Sequence, residues 1–315
     1  MLLATDLDGT LVLGEKEVIS ELFSLFKDYD ISVVFVTGRD IKNFRKLSRL
    51  FYRQNKMKLV YPDYLVTLNG AKVYRRRKSY LVPLKKYWVD RSWFRQISKG
   101  WDRKACREAI IKTAEKLRFG DDYPSVVSVR YKPSRYYYEC IIYYKMLDEI
   151  KTTLEQECKI NNTKVNVIFD YIQKEYVDMG LAVLDSIDKK KAEYVRAMRD
   201  ETGGVYVMMP SSSNKALAVD FIRKKMGLEK SEVIVAGDGG NDFHMLTCGF
   251  RSIVVNNAHP LLLRKNLDLL PEKQKNNLIF TKSDGAAGLL EGIKIILNQS
   301  FPHGSDGSLG SVINA

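Results

Sequence analysis

The 315-residue sequence is poor in cysteine, and its four, Cys106, Cys140, Cys158 and Cys248, form no C-x-x-C pair and show no metal spacing. A cysteine-based metal site is therefore excluded. No run reaches the roughly 18 apolar residues of a membrane span. Met1 leads within four residues into "ATDLDGTL" with no basic n-region before an apolar stretch, so no signal peptide is expected. The cysteines are then expected to be reduced thiols of a cytoplasmic protein, and the sequons at Asn161 and Asn298 to be chance matches. RGG repeats, zinc-finger spacing and an RNP1-type aromatic motif are also missing. The net charge of +13 permits a nucleic acid, a membrane surface or anionic small substrates. Neither of the first two is expected as a partner. The basic runs "RRRK" (75–78) and "DKKK" (188–191) read as solvated faces.

What is present suffices for a globular core. Hydrophobic residues make up 45% of the chain, and the length suggests about two domains. "MLLAT" reads as a short buried strand. "EVISELFSLFKDY" carries Ile19, Leu22, Phe23 and Phe26 at helical spacing. "ISVVFV" (31–36) is a β-branched run of the kind buried on both faces. "DIKNFRKLSRLFY" offers Asp40 as N-cap, with Ile41, Phe44, Leu47 and Leu50 on one face. "DYLVTL" (63–68) is a further strand, closed by Asn69-Gly70. Strand and helix in alternation imply a parallel sheet covered by helices.

The alternation returns late. A helix is expected over 214–227, ended by Gly227, then strands "EVIVA" (232–236) and "SIVV" (252–255), and a last helix over 286–297. Between Pro83 and Val207 the composition shifts to Tyr and Lys, with Trp88, Trp93 and Trp101. The expected organisation is an α/β, Rossmann-like core (1–82 and 208–300) split by an α+β insertion (83–207), then a disordered Gly/Ser-rich tail (301–315).

Four stretches carry chemistry. If Asp6 ends the first strand, Asp6 and Asp8 project to one side, at the carboxyl end where open α/β sheets bind ligands. Two such carboxylates call for a cation, and hard oxygen donors favour Mg²⁺. "VTGRD" (36–40) places Thr37 and Gly38 at the end of the second strand, where a hydroxyl and an N–H can hold a phosphate oxygen. Lys215 opens a helix and can reach an anion at the sheet edge. "AGDGGNDFHML" (236–246) brings Asp238 and Asp242 to another strand's carboxyl end.

In this order the four resemble the haloacid dehalogenase superfamily of phosphotransferases, through about residue 300. The 23-residue separation of Lys215 from Asp238 is similar to the family's helix-plus-strand spacing, although Ala216 stands where many relatives have glycine. The resemblance implies Asp6 as nucleophile and Asp8 as general acid, then base. It implies Mg²⁺ on Asp6, the Asp8 carbonyl and Asp238, with Asp242 in or beside that set. Thr37, the Gly38 N–H and Lys215 would stabilise the phosphoryl oxygens, and Asn241 would hydrogen-bond in the same site. Lys189, Lys190 and Lys191 lie 47–49 residues before Asp238, too far to replace Lys215.

The insertion between Thr37 and Lys215 resembles the type-two α/β cap of the Cof-like and sucrose-phosphatase-like branch. "PDYLVTLNGAKVY" (62–74), "ISKGWDR" (97–103) and "DGAAGLLEGI" (284–293) point the same way. The segment "DSIDKKKAEYVRAMRDETGG" makes the cap longer than in plain sucrose phosphatases. The implied activity is a Mg²⁺-dependent phosphatase acting on a sucrose-phosphate-like sugar or a related glycoside phosphate, as a monomer or weak dimer. The alternatives are a phosphomannomutase-like phosphotransferase, a broad-specificity Cof-type phosphatase, and a non-catalytic nucleic-acid binder.

Overall fold

The computed structural model describes residues 1–76, 87–116, 128–129, 138–142, 147–171, 204–210 and 212–300. Residues 77–78, Lys189 to Lys191, all of the 185–204 segment except Gly204, and the tail 301–315 lie outside them. In chain order come β1 (Leu2–Thr5), α1 (Lys16–Asp28), β2 (Ser32–Val36), α2 (Ile41–Asn55), β3 (Tyr64–Thr67), β4 (Lys72–Arg76) and β5 (Tyr87–Val89). Next are α3 (Arg91–Ile97), α4 (Arg103–Lys116), β6 (Ser128–Val129), β7 (Tyr138–Ile142), α5 (Leu147–Ile160), β8 (Val165–Tyr171) and β9 (Gly204–Pro210). The chain continues through α6 (Lys215–Met226), β10 (Val233–Gly237), α7 (Phe243–Thr247), β11 (Arg251–Val254), β12 (Leu278–Phe280) and α8 (Gly285–Ser300).

Two sheets result. The larger has the order β12-β11-β10-β1-β2-β3-β4-β5, and the smaller β6-β7-β9-β8. From β12 to β3 every pairing is parallel, and β4 and β5 extend the edge antiparallel. Alternate residues of each parallel strand face opposite layers. Leu3, Val33, Phe35, Leu65 and Ile234 pack on the side of α1, α2 and α8. Leu2, Ala4, Val34, Val36 and Val235 pack on the side of α3, α6 and α7. Burial on both faces is why these strands read as unbroken apolar runs.

The smaller sheet is antiparallel throughout. β5 lies within the segment expected to be inserted yet ends the larger sheet, and β9 runs to Pro210 in the smaller one. β8 passes close to the turn Gly240–Asp242, so the smaller sheet reaches the carboxyl edge of the larger.

One helical face differs from expectation. Phe44 and Phe51 are the buried residues of α2, while Leu50 is 51% exposed. Seven residues bring a helix back to nearly the same direction, whereas six leave Leu50 about a third of a turn away. Among the described residues no helix is long and apolar enough to cross a membrane.

Candidate active site

The chain runs from β1 outward to β3 on one side, then returns to build β10, β11 and β12 on the other. Strand order therefore reverses at β1 and β10, and the loops leaving their carboxyl ends open a crevice there. Asp6 follows β1, Thr37 follows β2, and Asp238 follows β10, so adjacent strands deliver them side by side.

Lys215 is the first residue of α6 and is almost fully buried. Its Nζ donates to Asp6 Oδ1 at 2.7 Å and Asp242 Oδ1 at 2.6 Å, with Asn241 Oδ1 at 3.3 Å. The Asp242 Oδ2 accepts from the Asp238 and Gly239 amides at 3.2 and 3.0 Å. Asp6, Asp238 and Asp242 bring carboxylate oxygens within 4.8 Å of one another. One ammonium thus faces three carboxylates. Burial pushes the Asp6 carboxyl well above its usual range, and Asp242, Asp238 and Asp8 add to this against Lys215. Burial, then Asp242, raises Asp238 to about 7. Burial alone would lower Lys215, but Asp242 and Asp6 hold its proton more tightly than in water. A buried cluster with surplus negative charge and only hard oxygen donors suits a small divalent cation. The residues present therefore fit Mg²⁺, as the sequence suggests.

Asp8 is held differently. Arg39 grips it with both arms, Nε to Oδ2 at 2.7 Å and a terminal nitrogen to Oδ1 at 2.6 Å. This planar fork fixes the carboxylate's orientation as a single lysine cannot. The two neighbouring aspartates thus have separate cations and separate surroundings: Asp6 is buried, while the Asp8 side chain is 28% exposed.

Backbone geometry supports the pair. Gly9 has φ +75°, and a Cβ there would collide with the Asp238 carboxylate. Thr10 Oγ1 donates to Asp238 Oδ1 at 2.7 Å. Asn257 donates to the Gly9 carbonyl and accepts from the Gly285 amide, both at 2.8 Å, tying this loop to the start of α8.

Thr37 is buried; its hydroxyl accepts from the Arg39 amide at 3.1 Å, which leaves the hydroxyl proton free to donate. Gly38 is exposed beside it. Leu68 and Asn69 both adopt left-handed backbone angles, φ 57° and 54°, which is costly for non-glycine residues. The loop is locked there by Leu68 N to Arg39 O and Asn69 N to Thr37 O. Asn69 Oδ1 accepts from Asn241 Nδ2 at 3.2 Å. The structure thus gathers Asp6, Asp8, Thr37, Lys215, Asp238, Asn241 and Asp242, with Gly38 at the rim.

Arg39, Thr10 and Asn257 join the site without being legible as site residues in the sequence, and Asn69 is legible there only as part of a turn. Arg39 lies inside "VTGRD", and its charge beside the turn expected to hold a phosphate oxygen is the signal. The others make contacts to residues distant in sequence, which no local pattern announces.

A family model of haloacid dehalogenase-like hydrolases matches residues 3–278. The chain belongs to this family. A HAD-like hydrolase of Nitrosococcus oceani is 32% identical over 103 residues, covering 30% of this chain and 28% of that protein. YxeH of Bacillus subtilis, assigned as a phosphatase, is 24% identical over 267 residues, 83% of this chain and 89% of its own length. Among solved structures, the sucrose-phosphatase of Synechocystis in complex with sucrose and phosphate superposes with a TM-score of 0.67 at 20% identity, covering 94% of this chain and 97% of that one. This likeness establishes a shared fold, as does that of the Bacillus subtilis haloacid dehalogenase-like hydrolase yhjK, with a TM-score of 0.53 at 17% identity.

Proposed function

We propose that the protein is a Mg²⁺-dependent phosphatase that hydrolyses a phosphorylated sugar or glycoside through an aspartyl-phosphate on Asp6. The observation that carries this reading is the division of labour between Asp6, paired with Lys215, and Asp8, gripped by Arg39. An Asp6 oxygen attacks phosphorus and the bond to the sugar oxygen breaks. Asp8, released from one arm of the Arg39 fork so that this oxygen can carry a proton, gives that proton to the leaving oxygen, then takes one from the water that cleaves the acyl phosphate. The Thr37 hydroxyl, the Gly38 amide and Lys215 stabilise charge on the transferring oxygens. The Asp6 carboxylate, the Asp8 carbonyl and Asp238 would hold Mg²⁺, which would keep Asp6 ionised and offset the charge of the phosphate. In this reading Asp242 positions Lys215 and orders the Asp238 loop, because both its oxygens are engaged by Lys215 and the two amides.

The substrate class draws on the cap. An insertion next to a phosphoryl-transfer crevice can exclude water and select the leaving group. The Synechocystis protein of the same fold binds sucrose and phosphate, and "ISKGWDR" is similar to a segment of such caps. The proposed setting is the cytoplasm, where the buried, unbridged Cys106 and Cys158 stay reduced, with the chain acting as a monomer or weak dimer.

The test is phosphate release across a panel of phosphorylated mono- and disaccharides with Mg²⁺. Selective release from one sugar class supports the proposal. A flat panel overturns the sugar assignment, and phosphoryl transfer between positions on the sugar without free phosphate identifies a mutase instead.

A further inference from the structure

The positive charge is not spread evenly. From Ile41 to Pro62 the chain has seven lysines and arginines and no acidic residue. All seven are exposed. At 100° per residue, Lys42, Arg45, Lys46, Arg49, Arg53 and Lys56 fall within an arc of about 100° along α2 and its cap. This stripe points away from Phe44 and Phe51, which anchor the helix to the core. No carboxylate of the described residues forms a salt bridge with any of the seven.

Beside the stripe lies a cavity of about 420 Å³ between α2 and the segment leading to β3. Phe44 and Leu59 form its apolar base. Tyr52 and Tyr61, 48% and 41% exposed, line it. Arg49, Arg53 and Lys58 supply its charge. Arg76 adds a further cation over the Tyr61 ring, 5.8 Å from its centroid. Arg53 stands twelve residues beyond the start of α2, roughly 18 Å along the helix. The cavity therefore belongs to the amino-terminal end of β3, and the phosphoryl-transfer crevice to the carboxyl ends.

We propose that this cavity is a second, non-catalytic ligand site for a nucleotide-like molecule, one with a flat apolar body and at least two phosphates. The volume is that of a small-molecule site. The body would lie on Phe44 and Leu59 between tyrosines able to stack on it. Arg49 and Arg53, one helical turn apart, and Lys58 on the segment that follows line the same cavity, and such a set of cations can pair with adjacent phosphates. The rest of the stripe raises the local concentration of anions. A recessed apolar base distinguishes this feature from a merely solvated basic face, and favours a small ligand over a polyanion, which needs no cavity.

The test is equilibrium binding of a fluorescent ADP analogue to the full chain in EDTA, which silences turnover. Inorganic pyrophosphate, adenosine, a twelve-base oligouridine and phosphatidylserine vesicles serve as competitors. Saturable binding is expected, weakened at least about tenfold in R49Q/R53Q and severalfold in Y52A, with p-nitrophenyl phosphate turnover unchanged in both variants. Equal affinity in R49Q/R53Q would put the analogue in the catalytic crevice and overturn the site. Pyrophosphate competing as well as ADP would reduce it to a charge patch. Oligouridine or vesicles binding about a hundredfold more tightly than the ADP analogue would replace the small ligand with a polyanion or membrane. The substituted residues are exposed, and an unchanged melting temperature verifies the fold.

Discussion

A buried ammonium such as that of Lys215 costs several kcal/mol unless carboxylates meet it, and Asp6 and Asp242 do so at 2.7 and 2.6 Å. The four motif stretches announced these residues because side-chain alternation and strand ends are local properties. The Arg39 fork on Asp8 needed two loops to be folded together before it could be seen. Asp6→Asn should abolish turnover while leaving the fold intact, because Asp242 still meets Lys215, and full activity in that variant would sink the covalent route. Arg39→Ala should lower kcat by about 10- to 100-fold, through loss of orientation, with a smaller change in KM. Arg39→Lys should recover little of this, since one ammonium cannot reproduce the bidentate geometry. Steady-state kinetics on any accepted phosphate ester decides both.

At the scale of elements, the helices sit where their caps and periodicity require. Asp40 caps α2 by accepting from Asn43 N at 2.7 Å, and Gly227 ends α6 at φ 70°. Both were legible in the sequence. The tight turn after β3 was legible only as Asn69-Gly70. Its role came from packing: Gly70, at φ +105°, lies against the Asn214 carbonyl just before Lys215, and its own carbonyl accepts from Trp93 Nε1 at 2.9 Å. Gly70→Ala should destabilise the protein by about 3 kcal/mol and reduce activity with it, because a Cβ displaces the start of α6. Thermal melts and kinetics on the same preparation check this.

Asp90 joins two elements, capping α3 through Ser92 N at 3.0 Å and meeting Lys225 of α6 at 2.5 Å. Burial pushes its carboxyl up, but the hydrogen bonds from Lys225 and Ser92 outweigh it and hold the group below its ordinary value. Its contribution is thus present at neutral pH and lost as pH falls through that lowered value. Asp90→Ala should cost about 1–2 kcal/mol at pH 7 and less in strong acid, read from denaturant midpoints.

For the whole molecule, the surplus of carboxylates at the sheet's switch point links stability to pH and, under the proposed function, to Mg²⁺. Asp238 is raised to about 7 in the fold, against about 3.9 in an unfolded chain. Its protonated form favours the folded state fully below the unfolded value, and that contribution fades as pH rises through about 7. In EDTA the melting temperature should fall between pH 5 and 8. Excess Mg²⁺ should flatten the fall and raise the curve most at pH 8; an equal, pH-independent shift would argue against a cation at these carboxylates.

The sequence by itself determined the parallel α/β core, most of its strands and helices in chain order, and the aspartates, threonine and lysine at strand and helix ends. Each of these follows from periodicity or spacing along one stretch of chain. Only the tertiary structure decided that Arg39 holds Asp8, that Phe51 rather than Leu50 turns inward, that β5 joins the larger sheet, and that the cations of α2 border a cavity. These depend on which distant surfaces pack together, and a surface meets its partner only after the chain has folded.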